Sequence, residues 1–245
     1  MILEIFDHKS IRKYKEKDIP EEVLNQILYA AIRASNTGNM QVYSIIVTKD
    51  KEMKEKLSPT HFNQPMVKQA PVLLTFCADF NRFNKWCLER KAEPGYDNFL
   101  SFLTAAIDAI IAAQNACLEA ESNGLGICYL GTAIYNADKI IDILELPKGV
   151  VPITAVTIGY PDEDPPLTDR LPMDAVIHYE KYKDFTKEDI DKFYKEKEAR
   201  EDSKQFIKEN NKETLAQVFT DVRYTKANNE HFSKILMDVL KKQGF

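Results

Sequence analysis

The stretch NFLSFLTAAIDAIIAAQNACLEAESNG, residues 98–124, decides the fold prediction. Between Asn98 and Ser122 it contains neither glycine nor proline, and its side chains are small or apolar almost all the way round a helical wheel. Asn123 and Gly124 then supply residues typical of a helix carboxyl end. The pattern predicts one long central helix, buried on most sides, around which the rest of the chain is organised.

Three polar side chains, Asp108, Gln114 and Asn115, interrupt this apolar helix. A charge and two amides in such a stretch argue against a membrane span. The first residues, MILEIFDHKS, reach Asp7 after a few apolar side chains and lack a basic leader and a small-residue cleavage site, unlike a signal peptide. We therefore expect a cytoplasmic protein with no membrane partner.

Predicted helices and strands alternate on both sides of the central helix. Residues 21–35 carry apolar side chains at i, i+3 and i+4 spacing, which is typical of a surface helix packed on a core. Short apolar runs bounded by Pro, Gly or Asp predict strands. The predicted strands cover residues 44–48, 71–79, 126–132 and 151–160, and the other predicted helices cover 21–35, 49–57 and 137–146.

The composition bounds the class of protein. The chain has 245 residues, with 44% hydrophobic and 29% charged, which is typical of a folded, soluble chain with one large domain or one domain and an appended part. Its 33 Lys and Arg against 38 Asp and Glu give a net charge of −5, so we expect no nucleic-acid partner. The four cysteines form no CxxC pair and the four histidines are scattered, which favours reduced thiols and no metal site.

The composition changes beyond Tyr182. Residues 183–213 are dominated by Lys, Glu and Asp, which indicates solvated helices or an arm lying across another surface, whereas 228–243 regains an amphipathic pattern. We therefore predict a core over residues 1–182 and a helical extension over 183–245 that packs on the core or on a partner subunit.

The first candidate binding motif is HKSIRKY, residues 8–14. Its arginine fork and serine hydroxyl can bind a phosphate, although a short basic run is also the usual pattern of a solvated surface. Arg170 follows the last predicted strand in a Pro-rich loop over 161–172, where ligand sites of α/β sheets tend to form. A surface ion pair is the alternative for Arg170.

Two further segments carry glycine and amide groups. SNTGNMQ, residues 35–41, follows the first helix and offers hydrogen-bonding groups to a ligand, or simply ends the helix. NGLGICYLG, residues 123–131, contains GxG but not GxGxxG, and it enters a strand where a dinucleotide-binding loop would leave one. Neither this loop nor a GxxxxGK[ST] loop is present in the sequence.

Several separated motifs together resemble the FMN-dependent nitroreductase family. The similarity is greatest to its branch of NADPH-linked, oxygen-insensitive nitroreductases and flavin reductases, and it extends over about residues 3–182. It implies an α+β fold of the α/β-type nitroreductase kind, with a central mixed, mostly antiparallel sheet and flanking helices around the long buried helix. The matching motifs, in chain order, are HKSIRKY, SNTGNMQ, FNQPMV at 62–67, SNGLGICYLG at 122–131, ILELP and IGYPDEDPPLTDRLP at 158–172.

The resemblance implies which residues bind the FMN phosphate and ribityl chain. His8, Lys9 and Ser10 match the family segment that holds the phosphate. Arg12 matches the cation that reaches the ribityl or pyrimidine side of the flavin. Arg170 matches a late-loop cation that closes on the phosphate.

The resemblance also implies contacts to the flavin ring. One group is a polar loop that reaches the flavin across a dimer interface, a second is an amide against the pyrimidine edge, and a third is a backbone strip near flavin N5. The matching residues are Ser35, Asn36 and Thr37 for the loop, Gln64 for the amide, and Tyr129, Leu130 and Gly131 for the strip.

The implied function is a homodimeric enzyme in which hydride passes from NADPH or NADH to FMN and then, in a ping-pong sequence, to a nitroaromatic, quinone or flavin acceptor. The cofactor carries the chemistry, so no side chain is predicted as acid, base or nucleophile, and no metal is expected. A flavin-binding storage or sensing protein without turnover is the alternative. Thr168 stands where the relatives have a lysine, which removes one charge from the implied phosphate site. Residues 197–212 are mixed in charge, so we expect only modest selectivity for NADPH over NADH.

Overall fold

The computed structural model describes residues 2–245. Two compact units are present, one formed by the residues up to Pro166 together with Phe232–Phe245, and the other by Leu167–His231. The division into a core over 1–182 and an extension over 183–245 stays a prediction.

The first unit is built on a four-stranded sheet. Neighbouring strands pair antiparallel in the order β1-β2-β4-β3, and an isolated bridge between Ser10 and Ile127 supplies a parallel pairing. This arrangement with its surrounding helices confirms the predicted α+β fold. The strands are β1 (Tyr43–Thr48), β2 (Val72–Asp79), β3 (Gly126–Leu130) and β4 (Val150–Gly159).

The helices include all of those predicted from apolar spacing. Additional helices of five, four and nine residues, at the amino terminus, before β2 and after β2, were not predicted. In chain order the helices are α1 (Leu3–Asp7), α2 (Glu21–Ile32), α3 (Lys51–Leu57), α4 (Met66–Gln69), α5 (Asn81–Glu89), α6 (Phe99–Ser122), α7 (Ala137–Ile143), α8 (Lys187–Ala199), α9 (Glu201–Glu209), α10 (Leu215–Val218) and α11 (Lys226–Gln243).

Helix α6 packs its small side chains on the sheet and on α2. The Asn98 side chain accepts a hydrogen bond from the Ser101 amide at 3.1 Å, which caps the amino end of the helix. Small side chains bring the helix backbone close to the strands at the packing density of a protein interior. The buried alanines are Ala105, Ala106, Ala109, Ala112, Ala113, Ala116 and Ala120.

In the single chain α6 is less buried than the prediction of burial on most sides, because only half of its most apolar window is buried. By length and composition alone this helix could cross a membrane, but core helices of soluble proteins pass the same test. Its large side chains form an exposed stripe, because the alanine face is the one that meets the sheet. This α6 stripe consists of Phe99, Leu100, Leu103, Ile107, Ile110 and Ile111.

The end of β3 differs from the prediction of a strand over 126–132. The strand stops at Leu130, and Gly131–Ile134 forms a 3₁₀ turn. At the start of β3, Gly126 lies directly under the side chain of Ile11, where a Cβ atom would approach Ile11 Cγ1 to 2.5 Å. The absence of a side chain at residue 126 therefore lets the amino-terminal segment lie on the strand.

The second unit combines polar contacts with a few buried apolar side chains. Thr186 and Asp189 form a reciprocal capping box at the start of α8. Lys197 of the same helix pairs with Asp169 at 2.9 Å. Phe193 is buried among aromatic side chains, so α8 also contributes an apolar anchor.

We expect Gly126→Ala to destabilise the protein by about 1 to 3 kcal/mol, because the added methyl group overlaps the Ile11 side chain and the packed surroundings must shift. Urea unfolding of the purified variant measures the change. Gly95→Ala is the matched control, since no described atom lies within 4 Å of its new methyl group, and its effect should stay within about 0.5 kcal/mol. Equal stability of the two variants would contradict the packing argument.

Candidate functional site

The basic segment 8–14 is fixed against β3 and β4. The Ile11 amide donates to the Ile127 carbonyl at 2.8 Å, next to the Ser10–Ile127 bridge. The buried Tyr14 hydroxyl donates to the Ile11 carbonyl at 2.7 Å and lies 2.8 Å from Thr157 Oγ1. Burial raises the pKa of Tyr14, so the phenol remains a neutral donor. The segment is therefore an ordered part of the sheet edge, which disfavours the solvated-surface interpretation.

Two cations of this segment already have protein partners. His8 Nδ1 lies 2.6 Å from Glu121 Oε1 on α6, and Lys9 Nζ donates to Asp164 at 2.6 Å. Burial raises the pKa of Glu121, whereas the hydrogen bond from His8 lowers it. The predicted role of His8 and Lys9 as direct phosphate ligands thus competes with these two carboxylates.

Arg12 differs from the other two cations. Its guanidinium forms no hydrogen bond or ion pair with any of residues 2–245, although it is close enough to Cys128 to lower the pKa of that thiol, which burial raises. Its backbone amide donates to Glu163 Oε1 at 2.6 Å, and the Lys13 amide donates to the same oxygen at 3.1 Å. The backbone is therefore held in place while the guanidinium fork stays available for an anion.

The end of β3 presents backbone more than side chains. Leu130 is buried, and the Tyr129 hydroxyl donates to Gln114 on α6 at 3.4 Å. Burial raises the pKa of Tyr129, which therefore keeps its proton. At Gly131 no described atom lies within 4 Å of the position that a Cβ would take. We call Tyr129, Leu130 and Gly131 the backbone edge after β3. The space beside Gly131 is open, whereas Leu130 is buried, and the role of this edge beside a ring stays a prediction.

The loop that carries Gln64 lies against the turn that follows β3. His61 Nδ1 is 2.8 Å from Thr132 Oγ1, and the Asn136 amide donates to the Thr60 carbonyl at 2.8 Å. Gln64 itself donates to the His61 carbonyl at 3.1 Å. These hydrogen bonds connect the loop that carries Gln64 to the turn directly after Tyr129, Leu130 and Gly131, which lie more than sixty residues further along the sequence.

His61 was not found from the sequence, because a single histidine in a short turn belongs to no motif. The side chain is fully buried, and burial lowers its pKa to about 4. Its Nε2 atom has no hydrogen-bond partner among the described residues. His61 is therefore a neutral side chain that orders the turn after β3.

The loop containing Ser35, Asn36 and Thr37 is anchored on α6. The Thr37 amide and hydroxyl donate to Asp108 Oδ1 at 3.0 and 3.2 Å, and the Asn36 side chain accepts from the Gln41 amide. Ser35 is exposed. Within the described chain, no hydrogen bond joins this loop to segment 8–14, to the loop that carries Gln64 or to the end of β3. The single chain therefore does not connect the loop to those parts of the candidate site by hydrogen bonds.

Asp108 was interpreted from the sequence only as an interruption of an apolar helix. A buried carboxylate requires donors, and an acid in the middle of the alanine-rich part of the helix was the available signal. Its 1% exposure and its two bonds to Thr37 identify it as the anchor of the loop.

Arg170 belongs to the second unit. Its guanidinium donates to Thr168 Oγ1 at 2.7 Å and to the Asp169 carbonyl at 2.9 Å, and it forms no ion pair with the described residues. Thr168 thus orients the arginine. The approach of Arg170 to segment 8–14 stays a prediction.

The cysteines are buried and free, and burial raises the pKa of Cys77 and Cys117 to about 12. Thiols in this condition are poor nucleophiles. Over residues 2–245, no group of three or more His, Cys, Asp or Glu side chains is arranged to hold a metal ion.

Comparison with known proteins gives consistent matches. The model of the nitroreductase family matches residues 5–160. An FMN reductase [NAD(P)H] of Bacillus subtilis is 41% identical over 185 residues, which is 74% of each chain. An oxygen-insensitive NADPH nitroreductase of Salmonella typhimurium is 35% identical over 175 residues, or 71% of each chain.

Solved structures extend the similarity over nearly the whole chain. A Bacteroides fragilis protein solved at 1.99 Å superposes with a TM-score of 0.97 and 57% identity, and the match covers 98% of both chains. The fold therefore extends beyond the residues matched by the family model.

We expect the stability of the protein to fall as the pH decreases from about 6.5 towards about 4, because the unfolded His61 binds a proton that the folded side chain rejects. Between about pH 7 and about pH 5 this group alone removes about 2 kcal/mol from the free energy of unfolding. Urea unfolding at the two pH values, with wild type and His61→Gln, measures the difference.

His231→Gln is the control, since that side chain is exposed, and it should keep the wild-type pH dependence. A His61→Gln variant with the same pH dependence as wild type would show that His61 is not responsible.

Proposed function

The chain belongs to the nitroreductase family, and we propose that it is an NAD(P)H-dependent oxidoreductase that binds FMN and reduces small acceptors. The observation that carries the proposal is the juxtaposition of an unpaired Arg12 guanidinium with the open backbone edge after β3. A cation for a phosphate and an accessible backbone for a ring are the two elements that a flavin mononucleotide needs.

The residues present suit FMN in this proposal. Arg12 and the Ser10 hydroxyl, which has no hydrogen bond within the described chain, would hold the phosphate or ribityl oxygens, with Lys9 released from the exposed Asp164. A charge-assisted bond from an arginine contributes roughly 1.5 to 3 kcal/mol, so the Arg12 guanidinium alone would make a measurable contribution to FMN affinity.

The ring would lie along the backbone of Tyr129, Leu130 and Gly131, with the Gln64 amide at its pyrimidine edge. When bound, FMN accepts hydride from a nicotinamide and delivers it to the acceptor, which gives a ping-pong sequence. The role of this chain is to position the ring and to place amide and cationic groups where negative charge develops. Neutral, buried His61 keeps the turn after β3 in place and takes no part in proton transfer.

The acceptors proposed are nitroaromatics, quinones and free flavins. The FMN reductase of Bacillus subtilis and the nitroreductase of Salmonella typhimurium, named for two of these classes, support this range. The proposal places the enzyme in the cytoplasm, because buried free thiols suit a reducing compartment.

The enzyme is a homodimer in this proposal. The α6 stripe exposes several large apolar side chains, among them Leu100 at 72% and Ile107 at 48%, and a patch of this kind usually marks an interface. Asp108, which follows Ile107 in α6, accepts a hydrogen bond from Thr37 and so holds the loop 35–41 against this helix. A second copy that covers the α6 stripe would therefore meet the loop that the family uses across its interface.

The electron donor is NADPH or NADH, with modest selectivity. The cations of residues 197–212 are largely neutralised within the second unit. Arg200 forms two hydrogen bonds with Asp202 at 2.9 and 2.7 Å, and Lys204 pairs with Glu201 at 2.7 Å. A 2′-phosphate would compete with these carboxylates, so values of kcat/KM for the two donors should differ by less than about a hundredfold.

We expect the purified protein to carry non-covalent FMN, to lose its flavin absorbance when NADPH or NADH is added without oxygen, and to recover it when a nitroaromatic or quinone follows. Absorbance spectroscopy with mass spectrometry of the released cofactor makes the measurement. Bound FMN that no nicotinamide reduces would favour the storage or sensing alternative, and the absence of flavin after reconstitution would contradict the proposal.

Arg12→Ala tests the site within the same experiment. Loss of the guanidinium should weaken FMN binding roughly tenfold to a hundredfold, as measured by fluorescence titration. Arg33→Ala is the matched control, because the Arg33 side chain is exposed and forms no hydrogen bond or ion pair with residues 2–245. Equal FMN affinity in both variants would remove Arg12 from the site.

We expect Leu103→Glu combined with Ile110→Glu to dissociate the dimer, because two charges in the centre of the α6 stripe cannot be desolvated without partners. Light scattering over a range of concentrations measures the mass. Ile190→Glu, on exposed α8, is the control and should leave the mass unchanged. A wild-type protein that is monomeric at every concentration would contradict the homodimer.

A further inference from the structure

A lysine-rich pocket of about 580 Å³ lies in the first unit, beside the segment that follows Arg12. Its walls come from residues 13–18, from α3 with the residue pair before it, from the segment leading into β2, and from the loop after β4. Seven lysines line it, namely Lys13, Lys15, Lys17, Lys49, Lys51, Lys54 and Lys68, and its three acids are Glu16, Asp18 and Asp162.

The pocket has a charge opposite to that of the whole chain. Seven lysines against three carboxylates leave four positive charges around one cavity, in a chain of net charge −5. Like charges gathered around a cavity repel one another unless an anion neutralises them. The composition of the whole chain conceals this local excess.

Few of these lysines are neutralised by the protein. Lys49 and Lys68 each form an ion pair at 3.2 Å with a glutamate outside the pocket lining. Lys13, Lys15 and Lys51 form no side-chain ion pair or hydrogen bond with any of residues 2–245. Three ammonium groups are thus available to a ligand.

Lys54 adds a buried charge at the wall of the cavity. The residue is 4% exposed, and its ammonium donates to the Ala70 carbonyl at 2.6 Å. No carboxylate of the described chain lies within ion-pair distance, and burial, followed by the charge of Lys51, lowers the pKa of Lys54. An ammonium has three donors, so an anion in the pocket would supply the missing acceptor and counter-charge.

The surroundings of the pocket are rigid. The Lys15 amide donates to the Tyr160 carbonyl at 2.9 Å, and Tyr14 forms a bridge with Pro161. The Lys17 ammonium lies 3.7 Å from the centre of the Tyr160 ring. The backbone that presents these lysines is therefore ordered before any ligand arrives, which lowers the entropic cost of binding.

We propose that this pocket binds a small, multiply charged phosphate anion of the di- or triphosphate class. Compact ammonium groups neutralise phosphate as point charges, and the lysines still outnumber the carboxylates by two when the glutamates that pair with Lys49 and Lys68 are counted. The volume lies in the range of small-molecule sites. This inference does not rest on the proposed FMN chemistry, since the pocket lining does not include Arg12 or the backbone edge after β3.

The test is calorimetric titration of the full-length protein, saturated with FMN, with inorganic triphosphate at about 0.05 M ionic strength, where screening is moderate. FMN saturation prevents triphosphate from occupying the flavin phosphate site. We expect one triphosphate per chain, and a dissociation constant that increases at least tenfold in Lys15→Gln combined with Lys51→Gln. The matched control, Lys241→Gln with Lys242→Gln, removes the same charge from two exposed lysines and should change binding less than twofold.

Lys54→Met forms a second arm, because it removes the buried ammonium and leaves a side chain of similar length. It should weaken triphosphate binding at least tenfold relative to Lys242→Gln, which removes the same single charge. The proposal is overturned by absence of binding at about 1 mM triphosphate, by equal weakening in the pocket and control pairs, or by citrate binding as tightly as triphosphate. FMN binding and reduction by NAD(P)H are measured separately, so either idea can fail without the other.

Discussion

The close packing of the alanine face of α6 on the sheet is the constraint on which the rest of the first unit depends. Side chains no larger than a methyl group at Ala105, Ala109, Ala112 and Ala116 let the helix lie against β2 and β4 at interior density. The large side chains then have to point away, which produces the exposed α6 stripe. The same helix anchors two parts of the site, because Glu121 meets His8 near its carboxyl end and Asp108 holds Thr37 in its middle.

Much of the fold could be predicted from apolar spacing. The four strands and the long helices appeared where their periodicity indicated, with small differences at the ends. The prediction that the α6 stripe is buried was wrong for the single chain. A sequence pattern shows that a helix face is apolar, but it does not show whether that face packs on the sheet of the same chain or is exposed. The strand prediction for 126–132 ran past Leu130, because the 3₁₀ turn at Gly131 depends partly on Thr132 meeting His61 from a distant segment.

The candidate site was predictable only in part. The resemblance of several separated motifs to one family pointed to Arg12 and to Tyr129, Leu130 and Gly131, and these roles stay predictions; the structure shows an Arg12 guanidinium without a partner among residues 2–245 and open space beside Gly131. The partners of His8 and Lys9 could not be found, because they lie 113 and 155 residues away in sequence. Pairing of this kind is set by tertiary structure, and neither composition nor short motifs contain that information.

The bond between Glu163 and the amides of Arg12 and Lys13 has a consequence for biosynthesis. Arg12 leaves the ribosome early, but the carboxylate that fixes its backbone follows 151 residues later. At usual elongation rates this interval lasts on the order of ten seconds. For most of that time neither β3 nor β4 has been synthesised, so the nascent chain acquires its cation site only after nearly the whole first unit has been made.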